Sequence, residues 1–254
     1  MIDLHSHLIP AIDDGSQSLQ QSLAVLRAFV DAGVLGVVLT PHVTASELAE
    51  NPDGAAERRD QAYDPLRRVG LAAPKLYVGF EIMLDQPLAA VTIGDRRFSL
   101  AGSRYYLVEF PYSVVATYAR NVLAKIANAG AVPIVAHPER YEACTPETIG
   151  AWRTAGAKIQ IDSTSLTRPT SRGHRARQLL AAGLADVIAA DNHGNNRLIT
   201  RGVEYLEARG GLGSVHALAT VNPQAVIDNE DMVPVAPIEI KENMLDRWRR
   251  FVSG

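Results

Sequence analysis

The chain has 254 residues, of which 47% are hydrophobic, 21% charged and 6% aromatic, long enough to bury a sizeable core in one or two domains. Its 25 Lys and Arg against 28 Asp and Glu leave a formal charge of -3, an imbalance that offers no broad basic surface to a nucleic-acid backbone. A single cysteine, Cys144, rules out an internal disulfide and a cysteine-based zinc cluster, so any metal would be held by His and carboxylates.

The opening Met1-Ile2-Asp3-Leu4-His5 puts a charge where a secretory peptide needs an apolar run. The longest apolar stretch of note, residues 34–39, is broken by Gly36 and falls far short of the roughly 20 residues of a membrane helix. A soluble, cytoplasmic protein is the expectation. Short β-rich runs predict seven strands, at residues 2–4, 36–39, 76–80, 105–110, 132–136, 158–161 and 187–190. Between them apolar residues recur at helical spacing, as in Leu19, Leu23, Leu26 and Phe29, in Val122 and Ile126, and over residues 175–184. The alternation predicts parallel strands joined by crossover helices in one α/β domain over residues 1–254, either a barrel or a doubly wound sheet. Residues 228–231, followed by Pro234 and Pro237, read as a loop leading to a final helix at residues 241–252.

Particular side chains stand where these strands end. His5 and His7 follow the first, His42 the second and Glu81 the third. Glu109 ends the fourth, His137 follows the fifth, and Asp191 and His193 follow the last. Parallel strands bring all their C-terminal ends to one side of the molecule, so these residues converge. Imidazole and carboxylate together form a ligand set for Mn²⁺, Fe²⁺ or Zn²⁺, and the alternating His5-x-His7 pair directs two rings at one cation. One His or Glu at a strand end is more often a cap or a satisfied core residue. A set of nine, His5, His7, Asp14, His42, Glu81, Glu109, His137, Asp191 and His193, would be strongly unfavourable to gather without counter-charge, and two or three divalent cations supply it. In Asp13-Asp14-Gly15 the expected ligand is Asp14, with Asp13 behind it. Arg140 beside the patch suits a pair of phosphate oxygens, the alternative being a salt bridge to Glu139 or another acid. Gln160, Asp162, Ser163 and Ser165 are candidate supporting hydrogen-bonders.

Rival chemistries lose support. A thiol phosphatase needs an Arg six positions after its Cys, and Gly150 stands there, so Cys144 reads as inert packing. No Gly-x-Ser-x-Gly elbow and no phosphate-binding Gly-x4-Gly-Lys-Ser/Thr loop occurs, and Gly210-Gly211-Leu212-Gly213 lacks dinucleotide-binding spacing. What remains is metal-assisted hydrolysis, in which cations lower the pKa of a bound water and polarise a phosphate ester.

Asp3-Leu4-His5-Ser6-His7, Ile12-Asp13-Asp14-Gly15, Thr40-Pro41-His42, Gly79-Phe80-Glu81, Val108-Glu109-Phe110-Pro111-Tyr112, His137-Pro138-Glu139-Arg140 and Asp191-Asn192-His193 together resemble the PHP (polymerase and histidinol phosphatase) superfamily. More narrowly, the chain resembles the bacterial manganese-dependent protein-tyrosine phosphatases of capsular and exopolysaccharide clusters. The resemblance implies a distorted seven-stranded (β/α) barrel with a trinuclear site, Mn²⁺ before Fe²⁺ or Zn²⁺. It implies one ion among His5, His7, Glu81 and Asp191, a second that Glu81 shares with Glu109 and His137, and a third among Asp14, His42 and His193. Arg140 would stabilise the phosphoryl group, with His42 and Arg197 as further candidate catalytic residues. The implied substrate is the phosphotyrosine tail of an autophosphorylating bacterial tyrosine kinase, through which alone the protein would meet a membrane; no nucleic-acid partner is expected. A phosphatase of small phosphoesters (histidinol phosphate, a nucleotide or a sugar phosphate) and a non-catalytic metal-binding regulator of the kinase stay open as alternatives. The chain departs from the family pattern at Asn192, where a small residue is common, and at Asp162, where Asn often stands.

Overall fold

The computed structural model describes residues 1–70, 74–238 and 240, so the helix expected at residues 241–252 lies outside the described residues. All seven predicted strands form, and two more short ones appear. They are β1 (Ile2–Ser6), β2 (Gly36–Leu39), β3 (His42–Thr44), β4 (Lys75–Val78), β5 (Glu81–Met83), β6 (Tyr105–Glu109), β7 (Val132–Val135), β8 (Lys158–Asp162) and β9 (Val187–Ala189). Every ladder is parallel, in a sheet of order β1-β2-β4 and a sheet of order β3-β5-β6-β7-β8-β9.

The expected seven thus become nine, because the second and third strands each kink. Pro41 has no N–H for the ladder, and Gly79 sits so close to the 99–100 backbone that a Cβ would approach Leu100 Cδ2 at 3.0 Å. Backbone bonds nonetheless cross both kinks, from Thr40 N–H to Ser6 O (2.8 Å), Gly79 N–H to Leu39 O (2.9 Å) and Glu81 N–H to Pro41 O (3.1 Å). The kinks hand the strands from one sheet to the other and place His42 and Glu81 at the first positions of β3 and β5.

Between β9 and β1 the pairing shrinks to one bridge, Ser6 with Asn192, continued by the bond from His7 N–H to Asn192 O at 2.8 Å. A side chain substitutes for the missing ladder: the buried Asp3 carboxylate accepts from Ala190 N–H at 3.1 Å and from His5 N–H at 3.1 Å. Burial pushes this carboxyl up to about 7, against the pull of those backbone donors and of the His5 ring.

The helices Leu19–Asp31, Ala116–Asn128 and Ser171–Ala181 match the predicted periodic segments and bury Leu26 and Phe29, Val122 and Ile126, and Leu179 and Leu180. Ser18 and Thr170 cap the first and last through Gln21 N–H and Gly173 N–H. These faces and the outer sides of the strands share one large apolar core. A second cluster joins Ile2 and Leu4 of β1, Val38 of β2, Leu107 of β6, Ile134 of β7 and Val187 of β9. Residues of strands from both sheets therefore pack in a common apolar cluster. Residues 228–231 follow the helix Asn222–Ile227 as an irregular segment. Among the described residues no helix is long and apolar enough to cross a membrane.

Candidate metal centre

The strand ends deliver all nine expected residues to one place. His5 lies inside β1, not after it, because the strand extends to Ser6. Its Nε2 is 3.0 Å from His7 Nε2, 3.1 Å from Glu81 Oε2 and 3.4 Å from Asp191 Oδ1. His7 Nε2 lies 3.3 Å from the same Glu81 oxygen and 3.5 Å from the same Asp191 oxygen. Edges of this length belong to a coordination polyhedron whose bonds are about 2.1 Å. Glu81 Oε2 and Asp191 Oδ1 are buried yet accept no aligned hydrogen bond among the described residues, as expected of atoms aimed at a common centre. The outer ring nitrogens are fixed from behind, His5 Nδ1 by Gln160 Oε1 at 2.9 Å and His7 Nδ1 by Asp13 Oδ2 at 2.8 Å. Both rings thereby keep their protons at Nδ1 and present Nε2 inward, the tautomer that binds a cation.

Two neighbouring groups extend the cluster. His137 Nε2 is 2.9 Å from Glu81 Oε1 and 4.0 Å from Glu109 Oε2, while His42 Nδ1 is 3.1 Å from Glu81 Oε2 and 3.5 Å from Glu109 Oε1. Glu109 therefore stands nearer His42 than His137. On the open side, Asp14 Oδ1 is 3.4 Å from His42 Nε2 and 3.5 Å from His193 Nε2, and His7 stacks on His193 with ring centroids 4.1 Å apart. Among the described residues four sets of three or more donors lie close enough to share an ion: His7 with Asp14, His42 and His193; His5 with His7 and Glu81; His5 with His137 and Asp191; and His42 with Glu81 and Glu109. Asp14 is 73% exposed and His42 37%, whereas His5, His7, Glu81 and Asp191 are buried, so access is from the Asp14 side.

The charges explain why this donor set suits cations. Burial would raise the Glu81 carboxyl, but the His5, His137 and His42 rings outweigh it and hold it well below the usual range. Burial likewise opposes ionisation of Asp191, and His5, His7 and Arg140 overcome it. Burial lowers the His5 ring, yet Glu81 and Asp191 bring it up to about 9. Burial and the Glu81 charge push Glu109 up to about 7, a repulsion that a divalent cation between the two carboxylates would remove.

Two features were not legible in the chain. His137 and Asp191 adopt positive φ, 32° and 49°, a conformation that costs a non-glycine residue energy and that gathers at functional sites. The structural role of Asp3 was not assigned by its residue type either, although a carboxylate within an apolar strand is a visible signal. Asp13 falls where expected, behind His7, and also accepts from His42 N–H at 3.2 Å. Gly15 closes that loop so tightly on His7 that a Cβ there would lie 2.1 Å from His7 O.

Arg140 is paired with acids other than Glu139: its Nη2 contacts Asp191 Oδ2 and lies 3.3 Å from Asp162 Oδ2. Arg197 reaches the same Asp191 oxygen at 3.3 Å. The backbone bend that allows this is held by Asn192, whose amide donates to Arg197 O and to Asn195 O at 3.1 Å. Two guanidiniums thus flank the cluster, each about one quarter exposed. Cys144 is buried and its thiol pushed up to about 12 by burial, which removes it as a nucleophile.

Comparison with known proteins matches residues 1–228 to the family model described as capsular polysaccharide synthesis, CpsB/CapC. The tyrosine-protein phosphatase YwqE of Bacillus subtilis is 27% identical over 251 residues, covering 96% of this chain and 98% of that protein. The tyrosine-protein phosphatase CpsB of Streptococcus pneumoniae is 28% identical over 204 residues, 76% of this chain and 83% of that one. A crystal structure from work on YwqE and CpsB, described as unique metal-dependent tyrosine phosphatases, superimposes with a TM-score of 0.80 at 27% identity, covering 95% of this chain and all of the other.

Proposed function

The chain belongs to the capsular polysaccharide synthesis family CpsB/CapC, and from that premise we propose that it is a metal-dependent phosphatase of protein phosphotyrosine. The observation that carries the reading is the convergence of His5 Nε2, His7 Nε2, Glu81 Oε2 and Asp191 Oδ1 beside the Arg140 and Arg197 guanidiniums. His5, His7, Asp14, His42, Glu81, Glu109, His137, Asp191 and His193 would hold two or three cations, Mn²⁺ first, with Fe²⁺ or Zn²⁺ as the other candidates. When bound, the cations supply Lewis acidity toward water and toward the phosphoryl oxygens.

The chain's own residues do the rest. Gln160 and Asp13 orient the His5 and His7 rings. Arg140 and Arg197 present planar donors at the rim, where phosphoryl oxygens would accept from them. His42 lies between the buried cluster and the exposed Asp14, positioned to contact both a cation and the incoming phosphomonoester. The opening on the Asp14 side suits a phosphate carried on a polypeptide. The physiological substrate would be the phosphotyrosine tail of an autophosphorylating bacterial tyrosine kinase, met in the cytoplasm, with membrane contact only through the kinase. We read residues 1–254 as one domain and the curved parallel sheets as a distorted barrel.

Purified protein given Mn²⁺ and a phosphotyrosyl peptide should release phosphate, and EDTA should stop it. Release that persists under EDTA would overturn the mechanism. Turnover of histidinol phosphate, nucleotides or sugar phosphates above that of the peptide would move the assignment to small phosphoesters, and elemental analysis names the metal.

A further inference from the structure

Between Asp162 and Asp186 the chain carries Arg168, Arg172, His174, Arg175 and Arg177 and no acidic residue. A segment of this sign stands out in a chain whose net charge is -3. It is also placed with purpose. Residue 163 directly follows β8, whose last residue, Asp162, contacts Arg140, so the segment begins at the end of the sheet where the cluster lies. Arg168 N–H donates to Ser165 O at 3.1 Å, and Gly173 fits so closely against the Arg168 and Ser165 carbonyls that a Cβ would lie 2.1 and 2.6 Å from them. Arg175 Nη1 donates at 2.9 Å to the carbonyl of Tyr141, the residue after Arg140. The loop and the first turns of the helix Ser171–Ala181 are thus fixed beside the Arg140 segment.

Exposed Arg58, Arg67 and Arg68 stand against acids, whereas Arg27, Arg96, Arg120 and Arg201 have no acid within salt-bridge distance among the described residues, so Arg168 and Arg172 are set apart by their place beside the Arg140 segment. Arg168 and Arg172 are exposed, and among the described residues no acid faces either guanidinium. They stand on the segment that follows β8, at the end of the sheet where Arg140 meets Asp162.

We propose that Arg168 and Arg172 form a docking rim for a negatively charged side chain of the same polypeptide whose phosphotyrosine occupies the metal centre. The proposal rests on the phosphatase reading and adds a preference for acidic flanks. Its confinement to the loop after β8 and the first turn of the helix Ser171–Ala181 favours a peptide over a membrane surface, which would call for a broader basic face.

The test uses the Mn²⁺-loaded full chain and phosphotyrosyl peptides of equal length whose flanks carry Glu, Gln or Lys. The probe without flanks is para-nitrophenyl phosphate. Wild type should show a KM about three- to tenfold lower for Glu than for Lys flanks, at equal kcat, with the gap closing in about 0.5 M salt. The double variants R168E/R172E and R168Q/R172Q should reverse and abolish that preference respectively, and leave turnover of para-nitrophenyl phosphate unchanged. Equal KM for all flanks, or a preference that both double variants retain, would overturn the rim. So would flank-independent KM accompanied by sedimentation with phosphatidylserine vesicles that the variants lose, a result that assigns the patch to membranes. Anisotropy of labelled peptides reads flank preference without turnover: if para-nitrophenyl phosphate is not hydrolysed, the phosphatase reading falls while the binding data still decide the rim.

Discussion

At His5 and His7 the proton is held at Nδ1, by Gln160 in one ring and Asp13 in the other, which leaves both Nε2 atoms facing Glu81 and Asp191. The Asp13 charge strengthens the donor power of the His7 ring as well as its orientation. Asp13→Asn should weaken cation affinity by about ten- to a hundredfold in a competitive chelator titration, with the far-ultraviolet circular dichroism unchanged. Asp162 works on the neighbouring group. One of its oxygens accepts from Thr164 N–H and Oγ1 at 2.8 and 2.7 Å, and the other faces Arg140. Asp162→Asn keeps the local cap and removes the ionic hold on the guanidinium. We expect kcat/KM on a phosphotyrosyl peptide to fall about tenfold, mainly through KM, with metal content at the wild-type level; a loss of metal instead would place Asp162 with the ligands. The sequence offered Asp13 and Asp162 as supporting groups but not the partner each holds, since an Asp near a strand end fits a turn equally well.

The elements explain what was legible and what was not. Seven apolar runs announced seven strands because burial on both faces leaves continuous β-rich stretches, and the same pattern brought the expected ligands other than the loop residue Asp14 to the strand junctions. The β2/β3 and β4/β5 kinks were hidden: Pro41 and Gly79 could equally have ended the strands, and only the backbone bonds across them show that the chain runs on. Positive φ at His137 and Asp191 carries no signature in residue type, and Arg197 gave no register until the Asn192 turn was seen to fold it back. Tyr141 shows how elements hold the centre in place. Its hydroxyl donates to Ala136 O at 2.8 Å and accepts from Phe110 N–H at 3.1 Å, joining the strand ends that carry His137 and Glu109. Tyr141→Phe strips two buried backbone groups of their partner and should cost about 1–3 kcal/mol in urea unfolding, together with a drop in kcat. Unchanged stability would mean that another group takes over both bonds.

At the scale of the whole molecule, folding and cation binding share the same charged core. In metal-free protein the His5 pKa, brought up to about 9 from an ordinary 6.5, lends stability that is fully present below pH 6.5 and is lost as pH rises through 9. Cations need the neutral ring, so their stabilising effect grows over the same window. Thermal unfolding midpoints of EDTA-treated and Mn²⁺-loaded protein should therefore diverge from pH 6.5 to 9, and curves that stay parallel would contradict the assignment of His5 as a ligand. The Asp3 stitch between β1 and β9 also has a consequence during translation. Ala190, Asp191 and His193 leave the ribosome nearly two hundred residues after His5 and His7, and pairings of such separation form slowly. A nascent chain halted before β9 lacks the backbone partner of Asp3 and the Asp191 side of the cluster. Such a chain still carries His5, His7, His42, Glu81 and Glu109 but lacks Asp191 and His193, so its hold on the ions should tighten once β9 has docked.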